Sequence, residues 1–206
     1  EKGSNNQSGV ESMALLLVLL FLLSGVLGRV FLQYRATGDY GIRPAGKYSP
    51  PVQIAASIFL ILSAVIVLFY TTGQALGYLT SWYQPGFLQI MLGYILYTIG
   101  LLVVLIAQHQ MGNAWRIGVD ASEKTSLITD GIFRVIRNPI YTGLFVGSIG
   151  LLMISPSLIL LSGLLVGYAA VELFVRKVEE PYLREQFGPE YDEWFSATPR
   201  YFPRLF

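Results

Sequence analysis

The chain has 206 residues, of which 53% are hydrophobic and 13% charged, and its mean hydropathy is +0.55. A soluble domain carries roughly 25% charged residues, so the deficit points to an integral membrane protein. A net charge of +1 leaves no field to gather nucleic acid. The absence of cysteine excludes disulfides, a thiolate nucleophile and a cysteine metal site, and a single histidine, His109, excludes a histidine-rich metal centre.

Residues 1–12 are polar and rich in Gly, Ser and Asn, and read as a disordered tail or an expression scar outside the fold. Met13 to Tyr34 stays apolar too long for a signal peptide, lacks a clear cleavage site, and gives the first span. The loop that follows, 35–51, carries Arg35, Asp39, Arg43 and Lys47. Val52 to Tyr70 is a second span, long enough for a hydrocarbon core about 30 Å thick. Residues 71–86 have no charge but hold Tyr78, Trp82 and Tyr83, the composition of an interfacial belt. Phe87 to Ala107 is the third span.

Gln108 to Pro139 is the longest polar stretch between spans, with Arg116, Lys124, Arg134 and Arg137. Ile140 to Ile154 and Leu158 to Val175 form a hairpin closed by Ser155-Pro156-Ser157, a tight helix connection. The first arm is short for a span and needs help from its flanks or a thinned bilayer. The distribution of Lys and Arg over the short loops gives a multi-pass protein with its N-terminus outside and its C-terminus cytoplasmic. In a prokaryote that membrane is the plasma (inner) membrane. The expected fold is therefore all-α: an integral membrane bundle of five transmembrane helices. Three N-terminal spans (13–107) precede a catalytic region (108–206). There, the last hairpin, the preceding loop and the C-terminal tail form a cytoplasmic cofactor pocket.

The chemistry centres on Arg134-Val135-Ile136-Arg137-Asn138-Pro139-Ile140-Tyr141. Arginines at a membrane boundary need anionic partners. Asn138 and Pro139 fit the N-cap and first position of a helix, whose free N–H groups also attract an anion. Arg137 adds a fork that grips a carboxylate or phosphate. Glu172, Arg176 and Glu180, spaced by four, share one helix face. They read either as an ion-pair ladder or as the other wall of a site, because the short hairpin returns its two ends to one side. Thr125 to Phe133 closes on an Asp130-Gly131 turn. Trp115 reads as an interfacial anchor. Glycines 93, 100, 143, 147 and 150 mark close helix packing or a channel for a lipid chain. The aromatic and charged tail from Phe187 is expected to lid the site.

Together these stretches resemble the isoprenylcysteine carboxyl methyltransferase family, its prokaryotic relatives and the wider group that includes phospholipid methyltransferases. The resemblance covers residues 108–206. It rests on Thr125-Ser126-Leu127-Ile128-Thr129-Asp130-Gly131-Ile132-Phe133, Arg137-Asn138-Pro139-Ile140-Tyr141, Arg176-x-x-x-Glu180-x-x-Leu183, Phe187-Gly188-x-Glu190-Tyr191 and Pro199-x-x-x-Pro203, in that order. It implies S-adenosylmethionine as methyl donor, S-adenosylhomocysteine as product, and no metal. Thr125, Ser126, Leu127, Ile128, Phe133, Asn138, Pro139, Ile140, Tyr141 and Glu180 would hold the cofactor, and Arg137 and Arg176 would face the acceptor. Thr125 and Asn138 stand where the family has histidine, and Phe133 where it has tyrosine. The implied activity is methyl transfer to a lipidic or prenylated acceptor entering from the bilayer. A carboxylate is favoured, because it is already ionised at neutral pH and needs no base. A phospholipid-amine N-methyltransferase and a non-catalytic lipid-binding protein are the alternatives.

Overall fold

The computed structural model describes residues 2–45, 49–120, 123 and 125–203. Lys47 and Lys124, counted above among the loop charges, lie outside the described residues. Helix α1 (Lys2–Phe21) passes through a π-helical stretch, Leu22–Leu27, into α2 (Gly28–Thr37). Then come α3 (Pro51–Ala75), α4 (Phe87–Met111), α5 (Pro139–Ile154) and α6 (Leu158–Phe174). A second π-helical stretch, Val175–Glu179, carries α6 into α7 (Glu180–Phe187), and α8 (Pro189–Ala197) follows. The expected all-helical class is found among the described residues. The only pairing of extended backbone there is an isolated bridge between Ile42 and Ile117.

Among the described residues, four helical segments are long and apolar enough to cross a membrane: Ser12–Thr37, Pro51–Ala75, Phe87–Ala114 and Leu158–Phe187. The fifth expected span, α5, has 16 residues, about 24 Å of helix at 1.5 Å per residue. The tail expected over 1–12 has helical backbone from Lys2, since adding turns to a nucleated helix costs little. Helix α3 overruns its expected end at Tyr70 because Thr71 and Gln74 are buried and hydrogen-bonded rather than solvated.

Glycine faces set the packing of α4 on α5. A Cβ built at Gly100 would lie 2.5 Å from the Gly143 carbonyl oxygen, and one at Gly150 would lie 2.5 Å from that of Gly93. The two backbones therefore touch along these positions, which is the packing reading of the glycines. Helix α6 lies against α3, where the Ser63 hydroxyl donates to the Gly163 carbonyl at 2.7 Å. Ala14, Tyr70, Tyr97, Leu151 and Leu160 form the core between these pairs.

The two ends of the bundle differ. At one, the uncharged 71–86 loop is tied to the hairpin turn: Trp82 N–H donates to the Pro156 carbonyl at 2.7 Å. Tyr70 donates to Ser155, Ser155 to Gln74 (2.6 Å) and Gln74 to Ser81 (2.9 Å). At the other end the charged loops and the tail meet. Arg43 N–H donates to the Ile117 carbonyl, Gln53 Nε2 to that of Val119, and Tyr182 to that of Glu123.

The glycine seam gives a paired prediction. Gly100→Ala should force α4 and α5 apart and cost about 1–3 kcal/mol, the usual range for overpacking. Gly147→Ala, where the nearest atoms to an added Cβ are 3.9 Å away, should be close to neutral. Thermal melts of the detergent-solubilised variants measure both, and equal losses would rule out this packing.

Candidate functional site

One cavity of about 480 Å³ opens at the charged end. Its wall draws on both halves of the chain. Phe21, Gly25 and Val26 come from the first span, Ser57 and Leu60 from α3, and Val104 and Gln108 from α4. Ile42, Arg43 and Pro44 come from the first loop, and the rest from the long polar segment, α5, α6, its π-helical end and the tail. Buried polar side chains of the early helices hold the long segment in place. Arg29 donates to the Gly112 carbonyl, and Gln33 Nε2 to that of Asn113 at 3.0 Å. Arg29 also stacks over Trp115, 4.9 Å from its centroid.

Trp115 is 3% exposed and lines the cavity. The interfacial-anchor reading is therefore corrected. The ring faces inward with Gly41 leaving room at its edge and Arg29 packed over its face.

Thr125, Ser126, Leu127 and Ile128 line the cavity as irregular backbone, and a 3₁₀ turn, Gly131–Arg134, then buries Phe133 on the same wall. Pro139, Ile140 and Tyr141 add the first turn of α5. Asn138 occupies the N-cap position and lines the cavity, but its side chain makes no cap hydrogen bond. Its Nδ2 points to the Arg200 carbonyl at 3.4 Å. The α5 N-terminus thus keeps first-turn N–H groups without a side-chain cap, at the positive end of the helix dipole.

Arg137 lines the cavity, with its side chain 8% exposed. One nitrogen donates to the Phe195 and Thr198 carbonyls and another to Glu180 at 3.2 Å, while Nε has no partner. The guanidinium lies 3.8 Å from the Phe195 ring centroid. Burial lowers its pKa and Glu180 opposes that shift. Main-chain bonds fix the tail beside it: Arg137 N–H to the Pro199 carbonyl (2.9 Å) and Asn138 N–H to that of Arg200 (3.0 Å). The Thr142 hydroxyl reaches the Tyr201 carbonyl at 2.6 Å. Trp194 donates to the Phe133 carbonyl at 3.1 Å and lines the cavity, so residues 189–201 form a strap across one side.

The two consecutive glutamates part at the π-helical stretch. Glu180 is buried and off the cavity wall. Arg200 grips it through two bonds of 2.8 Å, and Arg137 adds a third. Bonding to Glu180 raises the Arg200 pKa. Glu179 lines the cavity instead. It interacts with Tyr141, yet its shielded Oε2 has no partner in hydrogen-bond geometry. Arg176 is 52% exposed, pairs with Glu172, and does not reach the cavity. Arg134 is exposed as well.

The structure therefore gathers every sequence-predicted site residue on one cavity except Arg176 and Glu180. It adds Glu179, Trp115, Arg43 and Arg116. An acidic doublet ending an apolar helix was the available signal for Glu179, and an arginine between two prolines was the signal for Arg200. Arg43 and Arg116 had none, since their neighbourhood depends on how two distant loops cross.

A family model described as phospholipid methyltransferase matches residues 88–190, half of the chain. Two curated relatives also align. The nickel-cobalt-cadmium resistance protein NccN of Alcaligenes xylosoxydans xylosoxydans is 33% identical over 111 residues, 53% of this chain and 51% of that protein. The cobalt-zinc-cadmium resistance protein CzcN of Cupriavidus metallidurans is 30% identical over 112 residues, 54% of this chain and 50% of that protein. The chain spans about half the length of the curated relatives it matches.

Removing one partner of a buried ion cluster strands the others at a cost of about 3–5 kcal/mol, whereas an exposed pair is worth about 0–1 kcal/mol. Glu180→Ala should therefore destabilise the protein severely and release the strap, exposing the 189–203 segment to limited proteolysis. Arg176→Ala should leave both the melt and the cleavage pattern near those of the parent.

Proposed function

The chain belongs to the phospholipid methyltransferase family, and we propose that it is a membrane methyltransferase that uses S-adenosylmethionine to methylate a lipid acceptor, with a carboxylate as the first candidate for that acceptor. The observation that carries this reading is the cavity. Residues from Thr125 to Tyr141, drawn from a loop, a 3₁₀ turn and a helix start, share it with the buried Glu179 oxygen that lacks a partner.

The residues present suit the cofactor. A volume of about 480 Å³ falls within the usual range for small-molecule sites. Phe133 and Trp115 offer buried rings to a planar base, and the Leu127–Ile128 backbone offers polar groups at its edge. Glu179 can accept from a hydroxyl or face a cationic group. The uncapped start of α5 suits a carboxylate. When bound, S-adenosylmethionine supplies an electrophilic methyl group.

The chain's own contribution is placement and dehydration. Strap and hairpin enclose the cavity, which strengthens each electrostatic contact inside it. Positioning of two reactants alone supplies several kcal/mol of the barrier reduction. Arg137, with one unpartnered nitrogen, is the residue of the expected acceptor pair that still faces the cavity. Arg176 does not, so we leave it out of the acceptor site. A second reading, N-methylation of a phospholipid amine, draws support from Glu179, because an amine must shed a proton and this carboxylate has an unused oxygen to receive it.

The proposed topology keeps α5 as a fifth, shortened span, with the cavity on the cytoplasmic side. The names of the two relatives speak of metal resistance. Here, among the described residues, no three side chains of the metal-binding kinds come together.

Saturating S-adenosylhomocysteine should raise the melting temperature of the purified full chain, and Glu179→Gln should remove most of that shift. An unchanged melting temperature of the parent protein would sink the cofactor assignment. Radiolabelled S-adenosylmethionine with a lipid extract then separates the acceptors: a methyl ester releases methanol in base, whereas an N-methyl group does not.

A further inference from the structure

The charged side chains on the cavity wall, among the described residues, are Arg43, Arg116, Arg137 and Glu179. Three cations thus face one carboxylate. The acids that hold these arginines stand behind them: Asp39, Glu123 and Glu180 are absent from the wall. Glu123 bridges two of the arginines, with Arg43 Nε at 2.8 Å and Arg116 at 3.2 Å. Asp39 takes the other side of Arg43, and Arg43 donors hold the Asp39 carboxyl at about 2. The Arg43 and Arg116 side chains are 18% and 13% exposed.

This pair is fixed by backbone as well as by charge. Ile42 and Ile117, next in sequence to the two arginines, form the bridge between the loops. Gly118, at φ +90, lets the Arg43 carbonyl pass where a Cβ would overlap it. Glu123 is anchored in turn by the Tyr182 hydroxyl, which donates to its carbonyl at 2.7 Å. Two guanidinium groups held side by side on a partly apolar wall form a preorganised oxyanion site.

Resting on the lipid-methyltransferase reading above, we propose that Arg43 and Arg116 form a rim subsite that binds the oxyanion of the acceptor lipid, carboxylate or phosphate. The subsite is built from the first loop and the 108–139 segment, not from the α5 N-terminus that suits the cofactor. It is also distinct from the Arg137–Arg176 pair that the sequence alone suggests. Arg116 lies within electrostatic reach of Glu179. The wall therefore offers a cationic and an anionic contact near each other, as a zwitterionic headgroup needs.

The test uses the full chain in detergent and three dodecyl amphiphiles: dodecanoate, dodecyl phosphate and the uncharged monododecanoyl glycerol. An anionic amphiphile should bind more tightly than the glycerol ester, and the preferred anion identifies the source of the oxyanion. Arg116→Gln should weaken that anion about tenfold, the scale of one charge-assisted bond. It should leave the glycerol ester and S-adenosylhomocysteine unchanged. Glu123→Gln, which keeps the side-chain size, removes the competing charge and frees one arginine from its carboxylate oxygen, should tighten the anion about threefold, a direction that a merely structural role for the cluster does not give. Three outcomes overturn the proposal: equal binding of all three amphiphiles, parallel loss of all ligands in Arg116→Gln, or weaker anion binding in Glu123→Gln. Selective loss of S-adenosylhomocysteine in Arg116→Gln also overturns it, by assigning the pair to the cofactor. Parent protein that binds the anion but not S-adenosylhomocysteine refutes the methyltransferase reading and leaves the rim intact.

Discussion

The charged end of this bundle depends on one buried ion cluster, Arg137–Glu180–Arg200. A carboxylate shared by two guanidinium groups leaves a surplus positive charge, and the structure meets it with main-chain carbonyls at Phe195 and Thr198 and the face of the Phe195 ring. Desolvation makes such a cluster a poor source of net stability compared with apolar packing. Its effect is to fix register. Any shift of the tail past Arg137 would strand a buried charge and break the main-chain bonds from Arg137 and Asn138 to residues 199 and 200. The strap and the hairpin are therefore one unit, and the cavity exists because they are.

The π-helical stretch Val175–Glu179 explains how adjacent acids serve opposite sides of that unit. A π turn inserts a residue into the helical ladder and changes which faces its neighbours present. Here it sends Glu179 to the cavity and Glu180 to the strap. The other π-helical stretch, Leu22–Leu27, borders the same cavity through Gly25 and Val26. Its loosened backbone is used: the Gly25 carbonyl accepts from Gln108 Nε2 at 2.7 Å. Both departures from α-helix in otherwise long apolar segments thus fall at the site, where such insertions are common.

Local patterns were legible in the sequence, and crossings were not. Apolar runs gave the spans, with ends moved outward where buried polar residues such as Thr71 and Gln74 find partners. The glycines at 93, 100, 143 and 150 read as close packing or as a lipid channel, and the backbone contacts of α4 on α5 decide for packing. The stretch Thr125–Tyr141 was readable as one wall because its residues are contiguous. Glu180 and Arg176 lie off the cavity wall: their expected roles came from the resemblance, which carries no information on the π turn, Val175–Glu179, that gives the cavity to Glu179. Trp115 was misread because its burial depends on Arg29, some eighty positions earlier, and Arg43 and Arg116 become a pair only through the loop bridge. Charge and aromaticity were visible in each case, but direction was not.

On the proposed five-span topology, the short α5 would set the depth of the cavity. Its far end is fixed by the Ser155–Ser157 turn, which is tied to the uncharged loop. From there α5 climbs only about 24 Å, against a hydrocarbon core of about 30 Å. With that turn at one boundary, the start of α5, and with it Asn138 and Arg137, would lie roughly 6 Å inside the other. Apolar cavity residues on neighbouring helices, Leu60 and Val104 among them, agree with such depth. Charged groups there must be paired or face a water-filled space, and the arginines on the wall are each backed by an acid. A fully spanning α5 would lift the same groups into the headgroup layer, where solvent would screen them and a lipid could not reach them without leaving the bilayer. On that topology the shortened helix, whose length alone argues against a full span, would bring charged chemistry and a lipid chain to one depth.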